Sequence, residues 1–155
     1  MTLNNAALAY EILRIIPAIM RTLAAELRRT GQMLTPGHFG VMVLLLERGH
    51  NLTELAASQN VTLPTMSNTV ALLEQRGWVS RSRSPHDRRV VIVELTAGGR
   101  DVLARITEQA AAEIERRMAS LTGAELDALA AGLAVLGRMF AQIDSQPYFH
   151  NQEPR

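Results

Sequence analysis

Hydrophobic residues recur at every third or fourth position along most of the chain, which is the spacing of one face of an α-helix. The first such segment covers residues 6–30, and Pro17 in its middle predicts a kink or a lost hydrogen bond. Thr35 followed by a proline is typical of a helix start, and this second helix is expected to end near Glu47. Four further helices are predicted to begin after capping residues, namely Asn51, Thr62, Thr96 and Thr122.

The middle of the chain combines two short helices with two strands. The helices after Asn51 and Thr62 are joined by a tight turn, as in a helix-turn-helix. The second of them is expected to bury one apolar face, formed by Met66, Val70 and Leu73. Residues 79–83 and 90–95 carry alternating or β-branched side chains and predict strands, with residues 84–89 as a hairpin loop. Since a hairpin directly after a helix-turn-helix is a wing, the predicted fold class is mainly α (α+β), a winged helix-turn-helix.

The last helix carries the longest regular apolar row, with a 3-4-3-4-3 spacing typical of a helix–helix seam. Such a row can pack on its own chain, but the predicted winged helix is too small to cover three long amphipathic helices. We therefore expect a homodimer. Its predicted interface comprises Leu8, Ile12, Leu126, Leu129, Leu133, Leu136, Phe140 and Ile143.

These elements predict a single domain over residues 1–155. Residues 35–96 would form the winged helix-turn-helix, and residues 6–30 and 97–143 the dimerisation helices. Residues 144–155 are predicted to be a flexible tail.

Composition narrows the function. The 155-residue chain has no cysteine, which excludes disulfides and thiol chemistry, and its four histidines are too scattered to predict a metal site. All sixteen basic residues are arginine; six of them lie between Arg76 and Arg100 against two acidic residues, a local charge of +4. No apolar run approaches the roughly 18–20 residues that cross a bilayer, so a cytoplasmic protein is expected. No catalytic constellation and no cofactor motif is found, so we predict that the chain is not an enzyme.

Between Leu34 and Leu103 a series of motifs follows in a recognisable order. It consists of Leu34-Thr35, Asn51 with Glu54-Leu55-Ala56, Thr65-Met66-Ser67, Leu73-Glu74 with Gly77-Trp78-Val79, Asp87-Arg88-Arg89, and Leu95-Thr96 with Gly98. This series resembles the MarR family of bacterial winged-helix transcription regulators. The resemblance implies a homodimer that straddles a pseudo-palindromic operator in double-stranded DNA. Asn68 stands where many members of the family carry arginine, which implies a different base preference.

The geometry of a winged helix selects the candidate DNA-binding residues. A recognition helix enters the major groove by its N-terminal end, and an arginine at a wing tip can reach the minor groove. The candidates are Thr62, Pro64, Thr65, Ser67, Asn68, Arg76, Arg81, Arg83, His86, Arg88 and Arg89. By the family resemblance Arg89 is assigned to a pairing with Asp87 that holds the loop and Arg88 to DNA, with the reverse order left open. Trp78 is predicted to anchor helix and wing rather than to stack on a base.

The resemblance also implies a small aromatic or anionic effector, bound between the dimerisation helices and the winged helix. Candidate lining residues are Arg14, Met20, His38, Met42 and Arg100. The predicted function is a sequence-specific DNA-binding regulator, a repressor released by that effector. The alternative is a winged helix that binds another protein and has no DNA function.

Overall fold

The computed structural model describes residues 4–29, 31 and 34–140. Its helices and strands follow the predicted order, with one added strand. They are α1 (Asn5–Arg29), α2 (Pro36–Leu44), β1 (His50–Asn51), α3 (Leu52–Ser58), α4 (Leu63–Gln75), β2 (Val79–Arg83), β3 (Val91–Leu95), α5 (Ala97–Met118) and α6 (Gly123–Phe140). The described residues divide between Glu115 and Arg116 into two compact units. Within the described ranges, no helix is both long and apolar enough to cross a membrane.

The ends of α1 and α2 follow from local backbone chemistry. The helix α1 continues through Pro17, and the chain turns at Gly31, which adopts a left-handed φ of +68°. The side chain of Thr35 caps α2 by accepting a hydrogen bond from the backbone of His38, and Pro36 occupies its first position. The prediction that α2 reaches Glu47 is wrong: the helix ends at Leu44, the Leu45 N–H donates to the Val41 carbonyl, and the Leu46 N–H then turns back to the Val43 carbonyl.

The helix-turn-helix forms as predicted, with a cap at each helix start. In α3 the Asn51 side chain accepts the Glu54 N–H at 2.9 Å, while the Glu54 carboxylate accepts the Asn51 N–H at 3.0 Å. The Asn51 N–H, and secondarily Arg48, hold the pKa of Glu54 below its ordinary value. Thr62 caps α4, and Asn60 provides the left-handed turn residue between the two helices.

The small sheet joins the wing to the helix-turn-helix. Its strand order is β1-β3-β2, and β2 pairs antiparallel with β3 from Val79↔Leu95 to Arg83↔Val91. The strand β1, which was not predicted, pairs His50 with Val93. A strand of two residues is too short to show an alternation of apolar and polar side chains in the sequence. The edge position of β1 ties the start of α3 to the central strand of the wing.

One hydrophobic core lies beneath the helix-turn-helix and the wing. Met66, Val70 and Leu73 of α4 are at most 1% exposed, which confirms the predicted inner face of that helix. They pack with residues from α1, α2, α3, the sheet and α5, among them Leu27, Met42, Leu55, Val93 and Ile106. Val41 and Leu44 of α2, and Leu45 directly after it, are buried as well. This core fixes the outward direction of every polar residue on α4.

Thr96 links the wing, the end of α4 and the start of α5. Its N–H donates to the Trp78 carbonyl at 3.0 Å, and its hydroxyl donates to the Gly77 carbonyl at 2.7 Å. The same hydroxyl accepts the Gly99 N–H at 3.0 Å, so it also caps α5. A Cβ on Gly99 would collide with the Trp78 carbonyl oxygen, so only glycine allows this close approach. Thr96 and Gly99 therefore form a closely packed joint with the backbone of Gly77 and Trp78.

The second unit contains the end of α5 and all of α6. Thr122 and Glu125 form the predicted capping box: the Glu125 carboxylate accepts the Thr122 N–H at 2.8 Å, and the Glu125 N–H donates to the Thr122 hydroxyl at 3.3 Å. None of the residues of α6 is buried.

Candidate nucleic-acid interface

The first turn of α4 is organised around two threonine hydroxyls. The Thr62 hydroxyl oxygen accepts the Thr65 N–H at 3.4 Å and lies 2.9 Å from the Thr65 hydroxyl. Both residues are exposed, as is Pro64 at the second helical position. Thr62 is thus a cap first, and its remaining surface, with that of Thr65, is open to a ligand at the N-terminal end of α4.

The outward face of α4 continues with Asn68, which is exposed, and Ser67, which is half-buried. A residue at position 68 lies opposite the face that Met66, Val70 and Leu73 bury, because successive helical residues turn by about 100°. The Asn68 amide offers a donor and an acceptor, the pair that recognises adenine in the major groove. The structure thus brings four of the predicted residues, Pro64, Thr65, Ser67 and Asn68, onto one and a half turns at the start of a helix anchored by its core face.

The wing tip closes on its own backbone. The Ser84 N–H donates to the Val90 carbonyl at 2.9 Å, and the Val90 N–H donates to the Asp87 carbonyl at 2.9 Å. The His86 N–H donates to the Ser84 hydroxyl at 3.2 Å. These bonds form a compact turn and leave the side chains at its tip exposed.

Arg89 pairs with Asp87, as expected, but through its backbone and not through its guanidinium. The Asp87 carboxylate instead accepts the backbone N–H of Arg89, at 2.9 Å. An aspartate that accepts the N–H two residues later forms an Asx turn, which stabilises the loop without engaging an arginine guanidinium. Within the described ranges, neither Arg88 nor Arg89 has a guanidinium nitrogen within 4 Å of a carboxylate. Both charges at the wing tip therefore remain available.

The other wing arginines serve the fold to different degrees. The Arg81 Nε lies 3.1 Å from a carboxylate oxygen of Glu74, so β2 is tied to the last turn of α4 and this charge is partly neutralised. The Arg83 guanidinium donates to the Arg88 carbonyl at 3.2 Å and supports the loop. Glu74 was not predicted as the partner of Arg81, because the contact joins a helix end to a strand and leaves no local pattern in the sequence.

Arg76 and Trp78 form a second contact at the base of the wing. The Arg76 guanidinium lies over the Trp78 ring, 5.0 Å from its centroid, in a cation–π arrangement. Trp78 is 7% exposed, which confirms its predicted role as an anchor. Burial, and secondarily the positive charge of Arg76, lower the pKa of His38 below 6.5. The neutral imidazole is therefore favoured at pH 7, and its Nδ1 accepts the Thr35 N–H at 3.2 Å.

The five residues predicted to line an effector pocket have different environments. His38 belongs to the cap of α2, and Met42 is fully buried in the core. Arg14 forms an exposed ion pair with Glu11 at 2.6 Å, and Arg100 donates to the Leu46 carbonyl at 3.2 Å. Met20 is 41% exposed. Over the described ranges, no three histidine, aspartate or glutamate side chains come together as a metal site.

The residues predicted to form a dimer interface are mostly exposed. Leu8 is 46% exposed, Leu133 56% and Phe140 50%, while Ile12 and Leu136 are half-buried. Leu126 and Leu129 are also exposed. Ile143 and the predicted flexible tail at residues 144–155 lie outside the described residues.

Comparison with known proteins finds similarity to bacterial transcriptional regulators. A model of the MarR family matches residues 34–91. The HTH-type transcriptional repressor YetL of Bacillus subtilis is 30% identical over 116 residues, which cover 73% of this chain and 68% of YetL. The HTH-type transcriptional regulator YfiV of the same organism is 31% identical over 99 residues, and this match spans 62% of each protein, less than two thirds of YfiV.

A solved structure gives the same result in three dimensions. The transcriptional repressor CouR, bound to a 23-mer DNA duplex, is 32% identical to this chain with a TM-score of 0.65. The match covers 89% of this chain and 99% of CouR. A likeness of this extent includes the helix-turn-helix and the wing.

Proposed function

Because the chain belongs to the MarR family of transcriptional regulators, we propose that it represses transcription by binding a pseudo-palindromic operator in double-stranded DNA as a homodimer. The observation that carries this proposal is the outer surface of the winged helix. It carries exposed polar side chains at the start of α4 and, at the wing tip of the same compact unit, two guanidiniums that have no carboxylate partner within the described ranges.

The contacts divide the candidate residues into those that read bases and those that bind the backbone of DNA. Thr65 and Asn68 lie on the helix end that enters a major groove, where a hydroxyl and an amide distinguish base pairs. Arg88 and Arg89 supply charge at the wing tip for the minor groove or the flanking phosphates. We rank Arg81 and Arg83 lower, because Glu74 and the Arg88 carbonyl already engage their guanidiniums.

The homodimer rests on the apolar side chains that α1 and α6 expose. Ile15, Ile19, Leu129 and Leu133 are each between 38% and 56% exposed, although a single exposed leucine would need no explanation. Rows of such residues on two helices form contiguous patches, which mark interfaces. Two winged helices in one dimer would match the two half-sites of a pseudo-palindrome.

Release by a small aromatic or anionic effector is part of the proposal. An effector acts only if it binds the DNA-competent and the released conformations with different affinities. Arg100 is the most direct candidate, since its guanidinium bridges from α5 to the end of α2 through the Leu46 carbonyl. A ligand anion that competes for this guanidinium would loosen that link.

The test is a binding titration on an operator obtained by selection from random DNA, carried out at several salt concentrations. We expect specific binding whose logarithm falls linearly with the logarithm of the salt concentration. Arg88→Ala and Arg89→Ala should each reduce the slope by about one, as expected for one lost phosphate contact. Arg105→Ala, on the exposed surface of α5, is the matched control and should leave the slope unchanged.

Two results would contradict the proposal. Selection that enriches no sequence would favour a winged helix that binds another protein. Equal slopes for the wing variants, the control and the unmodified protein would mean that the wing guanidiniums do not contact DNA.

A further inference from the structure

The end of α4 that would meet DNA carries an exposed apolar cluster. Its members, which we call the apolar tip, are Val61, Leu63 and Pro64. Val61 is 39% exposed and Leu63 is 49% exposed. Large aliphatic side chains at the exposed start of a helix cost solvation in the free protein, so an exposed cluster of them indicates a surface that is covered in a complex.

The fold accounts for Val61 but not for Leu63. Val61 precedes the capping residue Thr62, and Met66 is the fourth helical residue, which are the two positions of a hydrophobic staple. The Val61 N–H also donates to the Ala56 carbonyl at 3.0 Å. Leu63 belongs neither to the buried core nor to the half-buried residues packed against it, as far as the described residues extend.

Leu63 lies at the N-terminal end of the apolar face of α4, three residues before Met66 and seven before Val70. It is the first residue of α4 after the cap. Because Cα–Cβ bonds in a helix tilt toward the N-terminus, a side chain at this position extends past the first turn. The N-terminal end of a recognition helix is the part that reaches base edges in the major groove.

We infer that Leu63 determines sequence specificity by packing against the 5-methyl group of a thymine in the operator. This inference rests on the proposed function and deepens it. Thymine is the base that presents a methyl group in the major groove, so an apolar side chain there selects thymine. The neighbouring hydroxyls of Thr62 and Thr65 lie 2.9 Å apart and hydrogen-bond to each other, while Val61, Leu63 and Pro64 contribute the apolar part of this surface.

The experiment is a double-variant cycle between the protein and the DNA. The selected operator is made with deoxyuridine in place of thymine, one position at a time, which removes only the 5-methyl group. At the contacted position the unmodified protein should lose affinity about fourfold, the value of one buried methyl group. Leu63→Ala should lose at least as much on the thymine operator and show no further loss on the deoxyuridine operator.

Two control variants separate this effect from damage to the fold. Val91→Ala removes an aliphatic side chain of similar exposure, 40%, from the wing strand β3 and should keep the full sensitivity to deoxyuridine. Leu63→Met retains an apolar side chain and should keep most of the affinity for the thymine operator. Thermal unfolding of all variants verifies that they are folded.

Each remaining outcome overturns the inference. Additive losses from Leu63→Ala and deoxyuridine at every position would mean that this side chain meets no thymine methyl, while specific binding would still uphold the proposed function. Selected sites that contain no thymine in the recognised half-site would also overturn the inference and leave the proposed function standing. If no operator is enriched at all, the proposed function fails and the inference fails with it.

Discussion

The helices α4 and α6 begin in the same way and end up in different surroundings. Thr62 caps the first and Thr122 the second, and each helix carries apolar residues at intervals of three or four. The apolar row of α4 is at most 1% exposed. In α6 the corresponding leucines, Leu126, Leu129 and Leu133, are 38% to 56% exposed, and no residue of the helix is buried.

Amphipathic spacing therefore predicts which face of a helix is apolar, but it does not predict which surface packs against that face. For α4 the cover is the chain's own core, built from α1, α2, α3, the sheet and α5. Within the described residues, nothing buries the apolar row of α6. Burying that row against another surface would therefore favour association. In the proposed homodimer, a second copy of the chain packs against the apolar face of α6.

A charged residue introduced into the apolar row of α6 should have the largest effect on dimerisation and on operator affinity. Leu133→Asp would place a carboxylate in an apolar interface, where an unpaired charge costs several kcal/mol. We expect a monomer by sedimentation at micromolar concentration, with at least a tenfold loss of operator affinity. Ala131→Asp, exposed on the opposite face of the same helix, should remain a dimer. Identical behaviour of the two variants would show that the row of α6 is not an interface.

Truncating one leucine in the apolar row of α4 and one in that of α6 tests the difference in burial between the two helices. Leu73→Ala opens a cavity in the core and should lower the free energy of unfolding by about 2–5 kcal/mol. Leu129→Ala should also destabilise the protein, but its midpoint of denaturation should rise with protein concentration more weakly than that of the unmodified dimer. Denaturation curves at two protein concentrations measure the free energy of unfolding and the concentration dependence of the midpoint. A loss from Leu73→Ala below about 1 kcal/mol would contradict the buried environment of α4.

The smallest effect concerns the caps. The Thr122 N–H, and then its hydroxyl, hold the pKa of Glu125 below 4.5. Because the folded pKa is depressed, this carboxylate stabilises the protein above its unfolded pKa, and that contribution is lost as the pH falls through the folded value. Thr122→Val removes the hydroxyl but keeps the N–H, so the pKa of Glu125 should rise toward 4.5 without reaching it. Titration of the Glu125 carboxyl by NMR measures the change; an unaltered pKa would show that the hydroxyl bond is not formed in solution.

Much of the fold could be predicted because its signals are local. A threonine or asparagine side chain that satisfies a free N–H marks a helix start at Thr35, Asn51, Thr62 and Thr122, and each cap is present in the structure. The alternation from Val79 onward likewise predicted the wing, since side chains of a strand point to opposite faces. The MarR family was recognised from the same order of motifs.

The contacts between elements could not be predicted from such signals. Nothing in the spacing shows that Arg81 meets Glu74, or that the Asp87 carboxylate takes the N–H of Arg89 in place of its guanidinium. The strand β1 was missed because its two residues become a strand only by pairing with β3. These interactions depend on where the elements lie in space.

The sequence is enough to predict where the helices begin, which face of α4 is apolar and where positive charge accumulates, because each of these depends on residues within a few positions of one another. The fold is needed to show which apolar row is buried, which arginines keep their charge available and how Thr96 joins the wing to α4 and α5. The physical reason is that burial and ion pairing depend on the distance between residues that the chain separates, and folding alone brings those residues together.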